Sequence, residues 1–285
     1  MPRRHHYIPI FYLTQWTSGD PAYLCQMNRG YDNGTNKGIA FKFNSPVSMG
    51  YKEDLYALLN VGEKLREWLE DNFFRKVDNE ASVAMRELAA GNTNLEIPLR
   101  EAWARFIMAM MSRTPDKIEY IRGAYDREMP HLRGELIEEY DREMAGRDPA
   151  PTAEERASAI ERALELGTGR LIQAVMDLPN VGTEILRMKW VIITLKNEGR
   201  DFLTCDYPVF LSHGLQHEEA FFTLPISPRK LWVASKSQAQ LDRLLKWGAG
   251  DITQAVNKTA VEQARKYVYG TGNFQRNFVN KYLRR

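Results

Sequence analysis

Six side chains in this sequence are of the types that hydrolysis of a phosphate ester needs: His6, Tyr7, Glu80, Arg113, Asp206 and Asn257. An imidazole acts as general base or metal ligand, and Glu80 and Asp206 are the carboxylates that would hold a divalent cation beside it. An arginine neutralises phosphate charge, and a phenol or carboxamide orients the substrate. Magnesium or manganese is the cation that two carboxylates and an imidazole favour. No two of the six stand at a recognised metal spacing such as His-Glu-x-x-His, so their convergence depends on the fold.

Local pattern singles these positions out. "HHYIPIFYL", residues 5–13, sets polar rings among Ile8, Ile10, Phe11 and Leu13. Terminal segments fray unless tied down, so this composition predicts a docked segment with Ile8, Phe11 and Leu13 buried. His6 is then expected to face the interior or a cleft. Glu80 lies on an apolar helical stripe of Phe73, Val77, Ala81, Ala84 and Leu88. A carboxylate there needs a partner or a raised pKa, and Arg113 is the favoured partner; a catalytic or metal-binding role is the sharper alternative.

Arg113 continues the stripe of Phe106 and Met110 at a helix end, where it compensates the helix dipole or reaches a buried carboxylate. Asp206 closes the run "DFLTCD" before Tyr207-Pro208, a position that serves turn chemistry or projects a carboxylate into a cleft. Asn257 shares a helical face with Ala260, Val261, Ala264 and Val268. A poor helix former on an apolar face is most simply a buried amide that satisfies backbone groups of a neighbouring sheet.

The elements that must carry these residues follow from periodicity and punctuation. "AYLCQMNR" and "IAFKF" read as strands around the turn-rich "GYDNGTNKG". Helices are predicted from about Glu63 to Leu88 and from Leu99 to Ser112, the second apolar almost all round and therefore central. Thr114 is the N-cap and Pro115 the first residue of the next helix, which Gly123, Pro130 and Gly134 are expected to kink or break before Met144. "GRDPAPT" is a linker candidate, giving a flexible connection near 146–152, and Thr152 with Glu155 forms a capping box. Beyond about Leu186, "KWVIITL", "RDFLTCD", "PVFLS", "AFFTLPI" and "KLWVAS" read as short strands, followed by helices over roughly Gln238–Trp247 and Ile252–Tyr269. The order gives an α+β fold over residues 1–285 as one domain. A helix-rich middle packs on a small, mostly antiparallel sheet of C-terminal strands joined by the short N-terminal ones.

Composition narrows the setting. With 44% hydrophobic and 27% charged residues the chain is an ordinary globular protein, and 39 Lys and Arg against 37 Asp and Glu neither require nor exclude nucleic acid. Cys25 and Cys205 make no disulfide framework and no Cys-x-x-Cys site. The first fifteen residues do not read as a secretory leader. The most apolar run, "AWARFIMAMM", is interrupted by Arg105 and falls short of the ~20 residues a bilayer needs. A cytoplasmic protein without a membrane partner is expected.

"HHYIPIFYL", "RTP" after the central helix, "FLTCDYPV", "LPISP" and "VNKTAVEQARKYVYG" occur in an order that resembles the domain-of-unknown-function 4238 family across nearly the whole chain. By that pattern His6 is the motif histidine and His5 a variable position. Ile10 stands in place of the usual Gln, and Thr14 in place of the common Arg. The resemblance puts Glu80, Arg113, Asp206 and Asn257 at positions like the family's recurring polar set, and it implies a grouping without an activity.

Two classes of function fit. One is a hydrolase, a divalent-metal-dependent nuclease or phosphodiesterase with His6, Glu80 and Asp206 on the metal, Arg113 on phosphate, and Tyr7 or Asn257 orienting substrate. The other is a non-catalytic module for a nucleic acid or protein partner, in which the same polar set is an internal network. The joint presence of His, Glu, Asp and Arg tips the sequence reading towards the enzyme. No phosphate-cradling Gly-rich loop, nucleophile elbow or dinucleotide fingerprint occurs, which sets aside kinase, α/β-hydrolase and dehydrogenase readings.

Overall fold

A computed structural model describes residues 3–30, 38–58, 61–196 and 199–283. The turn expected between the first two long strands falls mostly on residues 31–37 and lies outside the described residues. The N-terminal part holds β1 (Arg4–His6), the helical turn α1 (Ile10–Leu13), β2 (Leu24–Arg29), β3 (Ile39–Asn44) and β4 (Tyr51–Glu53). The helical middle runs through α2 (Arg75–Ala89), α3 (Ile97–Ser112), α4 (Pro115–Met144), α5 (Ala153–Glu165), α6 (Gly167–Met176) and α7 (Pro179–Arg187). The C-terminal part adds β5 (Lys189–Thr194), β6 (Thr204–Cys205), β7 (Phe210–Ser212), β8 (Phe221–Ser227) and β9 (Lys230–Ser235). After these come α8 (Gln238–Leu245), α9 (Ala249–Gln263), β10 (Val268–Gly270) and α10 (Arg276–Tyr282).

The result is an α+β fold in which a helix-rich core packs on antiparallel strands drawn from both ends of the chain. The described strands divide into two four-stranded sheets, β3-β2-β10-β6 and β5-β9-β8-β7, and a ribbon of β1 with β4. In the first sheet Met27 stands opposite Phe41 on one side and Val268 on the other. Alternation therefore sends Cys25, Met27, Val268 and Cys205 to one face, where Val261 of α9 and Val279 of α10 cover them. Both cysteines are buried and free.

α3 is central because it is apolar almost all round: Trp103, Phe106, Ile107 and Met110 are all buried, while Arg105 reaches out to Asp177. Trp103 meets Trp232 of β9 edge-on at 5.8 Å, and Trp232 meets Trp190 of β5 at 5.4 Å, so aromatic contacts bind the helical middle to the second sheet.

Three local expectations differ from the structure. α4 runs unbroken for 30 residues past Pro130, which is exposed. Ion pairs of Arg133 with Glu161 and of Arg156 with Asp141 hold its distal half against α5. α2 is preceded by turns and by a single π-helical turn, Glu70–Phe74, instead of regular helix from Glu63. The helix expected up to Tyr269 ends at Gln263, and Val268 and Tyr269 enter β10. The linker candidate connects α4 to α5, which begins on the expected capping box: Glu155 N–H donates to Thr152 Oγ1 at 3.2 Å, and Thr152 N–H to Glu155 Oε2 at 2.8 Å. Among the described residues no helix is long and apolar enough to cross a membrane.

Candidate functional site

The N-terminal segment is threaded through the molecule. Ile8, Tyr12, Leu13 and Trp16 are fully buried, and Phe11 is partly so. Ile8 N–H bonds Gly50 O at 3.0 Å, an approach that requires glycine: a Cβ on Gly50, whose φ is +62°, would stand 2.9 Å from the Ile8 Cβ. Pro9 turns the chain into α1, and α1 places Tyr12 between the two sheets. The Tyr12 hydroxyl donates to Pro225 O at 2.8 Å and lies 2.7 Å from Thr204 Oγ1, while Trp16 Nε1 donates to Phe202 O at 2.8 Å. "HHYIPIFYL", "FLTCDYPV" and "LPISP" thus meet at one phenol. Tyr12 did not stand out from the sequence because an aromatic in an apolar run reads as core.

Arg113 is the hub of a second cluster. Only 1% exposed, it forks onto Asp78 (Nη1 to Oδ1 2.6 Å, Nη2 to Oδ2 3.0 Å), donates to the His6 carbonyl at 2.8 Å and to the Tyr56 hydroxyl at 3.3 Å. Its plane lies over the Phe74 ring at 4.7 Å. Burial alone would lower the guanidinium pKa; the Asp78 carboxylate outweighs it and holds Arg113 charged. His5 completes the wall. It stacks on Tyr56, its Nδ1 accepts Tyr56 N–H at 2.8 Å, and so its Nε2 carries the proton donated to Glu67 at 2.7 Å. The His6 ring points the other way, donating to Val47 O at 3.1 Å, and burial together with the Arg113 charge lowers its pKa.

The Arg113–Glu80 pairing expected from the stripe is not formed. Glu80 is 40% exposed on its side chain and reaches Lys76 at 3.9 Å and Arg105 at 3.7 Å. The buried face of α2 and the π-turn before it includes Phe74 and Met85 besides Phe73, Val77, Ala81, Ala84 and Leu88. Those two residues rotate it towards Asp78 and away from Glu80, and adding them to the stripe is the signal that would have found Asp78. Glu70, in the π-turn, keeps Oε2 buried without a hydrogen-bond partner among the described residues, and burial raises its pKa.

Asp206 is the centre of a third group. The Asp206 carboxylate accepts three successive backbone amides, from Arg265 (2.8 Å), Lys266 (2.7 Å) and Tyr267 (3.0 Å), and its own N–H returns to Tyr267 O. These bonds end the preceding helix and aim the chain into β10, which explains the shortened helix. Burial raises the Asp206 pKa against the pull of the three amides. The Tyr7 hydroxyl is pushed up by burial and by the charge of Asp206. The neighbouring Tyr269 hydroxyl is buried with no hydrogen-bond partner among the described residues.

Asn257 stands apart. Its Oδ1 accepts Leu203 N–H at 2.8 Å, and its Nδ2 donates to Asp201 O at 2.8 Å and Gln275 Oε1 at 3.0 Å. The structure therefore brings the His6 carbonyl to Arg113, sets Tyr7 within the influence of the Asp206 charge, leaves Asn257 with the backbone that precedes β6 and with Gln275, and leaves Glu80 partly exposed. Among the described residues no three His, Cys, Asp or Glu side chains stand close enough to hold a metal ion, so His6, Glu80 and Asp206 form no shared cation site.

One family model, described as "Protein of unknown function (DUF4238)", matches residues 4–273. No curated protein and no solved structure matches the chain. The matched span runs from the first strand to the loop before the last helix, and it includes the polar residues of these clusters except Gln275.

Proposed function

The chain belongs to the DUF4238 family, and from that premise we propose that it is a binding module whose motif residues build a scaffold. The observation that carries this reading is the saturation of Arg113, Asp206 and Asn257 by partners within the chain. A general base, a phosphate-binding arginine or a metal ligand needs an unengaged lone pair or proton directed at a substrate. Asp206 presents its oxygens to three amides, and Arg113 presents its fork to Asp78 and a carbonyl. A nucleic acid is the partner class proposed.

A cleavage assay tests the proposal. Single- and double-stranded DNA and RNA are incubated with the parent protein, with magnesium, with manganese and with a chelator. The module reading expects no turnover under any condition, and expects His6→Ala and Asp206→Ala to lose stability only. Metal-dependent cutting that both variants abolish while staying folded would replace the module with a hydrolase. That second reading rests on His6, whose imidazole pKa is lowered by burial.

A further inference from the structure

The charges of this nearly neutral protein are unevenly placed. Residues 21–30, 38–52 and 263–283 contain no aspartate or glutamate, yet they carry Arg29, Lys42, Lys52, Arg265, Lys266, Arg276 and Lys281. These segments supply β2, β3, β10 and α10, so these three strands and one of the two helices that cover them are free of acid in their own sequence, while α9 carries Asp251 and Glu262.

The same region exposes aromatic rings. Phe41 and Phe43 share the sheet face of Met27 and Cys25 but lie at its rim beside α10, with ring centroids 6.1 Å apart, and are 39% and 46% exposed; Phe274, before α10, is 63% exposed. Cations stand over the rings. The Arg276 guanidinium lies 5.6 Å from the Phe41 centroid, Arg200 lies 5.7 Å from Phe278, and Lys258 and Lys281 lie 5.7 and 5.0 Å from Tyr282. β3 bonds to β2 alone among the described strands, so this face sits at a sheet edge. Leu283, at the end of α10, borders a groove of about 830 Å³ that Arg29, Arg265, Lys266 and Tyr207 also line. Glu262 in its wall is ion-paired to Lys258 at 3.8 Å.

We propose that the face built by Phe41, Phe43 and Arg276 binds single-stranded nucleic acid. Rings offered to solvent beside cations suit a ligand with flat faces and a regular negative backbone, and only an unpaired strand has free base faces to stack. A duplex hides those faces, and an acidic peptide has none. The inference rests on the binding-module reading and names the partner class of that module.

The test is fluorescence anisotropy of the full chain with labelled oligo(dT) and oligo(rU) of about 20 nucleotides and with a duplex of the same length, at roughly 50 and 200 mM salt. The single strands are expected to bind more tightly than the duplex and to weaken as salt rises. Phe41→Ala with Phe43→Ala should weaken binding roughly 5- to 150-fold for each base that loses its ring. R276E leaves the rings in place, covers the case of a poorly folded double variant, and should weaken binding and flatten the salt dependence. Equal affinity of parent and R276E, preference for the duplex, or no binding by the parent would overturn the proposal. A parent dimer that R276E or the double variant dissociates, with no oligonucleotide bound, would also overturn it and assign the face to a second copy. Oligonucleotide bound here and cut would uphold this face while removing the non-catalytic reading; oligonucleotide neither bound nor cut would do the reverse.

Discussion

The buried seam around the N-terminal segment and the open rim, or outer face, formed by β3 and α10 use polar chemistry in opposite ways. In the seam Arg113 and Asp206, and beside it Asn257, are almost fully buried, and each engages backbone or an opposite charge. On the outer face Phe41, Phe43 and Phe274 are open to solvent beside cations, on segments without a carboxylate. A buried polar group without a partner is penalised by desolvation, so saturation there stabilises the fold and leaves little for a ligand. An exposed cation or ring carries no such penalty and remains available. Sequence motifs in this chain therefore mark the seam, and the surface open to a partner lies beside it.

Breaking the seam should have the largest effect. Arg113→Met leaves Asp78 without its cation and the His6 carbonyl without a donor. Loss of one member of a buried pair costs about 3 to 5 kcal/mol, readable as a lower denaturation midpoint in urea. Asn257→Ala orphans Leu203 N–H and leaves Asp201 O with only Gln275 as donor, a loss of about 1 to 3 kcal/mol in the same measurement.

Glu70 sharpens the contrast through pH. Its folded pKa lies above the unfolded one, so the folded state binds the extra proton in the window between them. Stability from this group is full below the ordinary carboxylate value and falls as pH rises through that window. Glu70→Gln should remove that slope and melt above the parent at neutral pH, while matching it near the acid end. A Tm difference independent of pH would contradict the assignment. The smallest effect is expected outside the seam: Glu80→Ala, at the 40% exposed side chain with long ion pairs, should shift stability by no more than about 0.5 kcal/mol.

Much of the seam was legible because apolar residues interleave with the polar ones. Ile8 and Leu13 announced a docked segment, and Asn257 on an apolar face announced a buried amide. Asp78 escaped because the stripe of Phe73, Val77, Ala81, Ala84 and Leu88 points to Glu80, and only with the burial of Phe74 and Met85 does the buried face extend towards Asp78. The end of α9 escaped for a different reason. Alanines and valines continue the helical period past Gln263, and the chain leaves it because a carboxylate far away in sequence takes three of its amides. His5 went unread as well: its partner Glu67 comes from a turn with no periodicity of its own. The outer face was invisible because its parts, β3 and α10, lie at opposite ends of the chain, and an overall charge of +2 conceals the acid-free segments.

The division between a stabilising seam and a binding face is tested most directly by one anisotropy titration of labelled oligo(dT), run in parallel on the parent, Asp206→Asn and R276E below their melting temperatures. The account predicts that Asp206→Asn, although less stable, binds like the parent, whereas R276E keeps the parent's stability and binds several-fold more weakly. Normal binding by R276E together with loss of binding by a folded Asp206→Asn would contradict it and return Asp206 to the functional site.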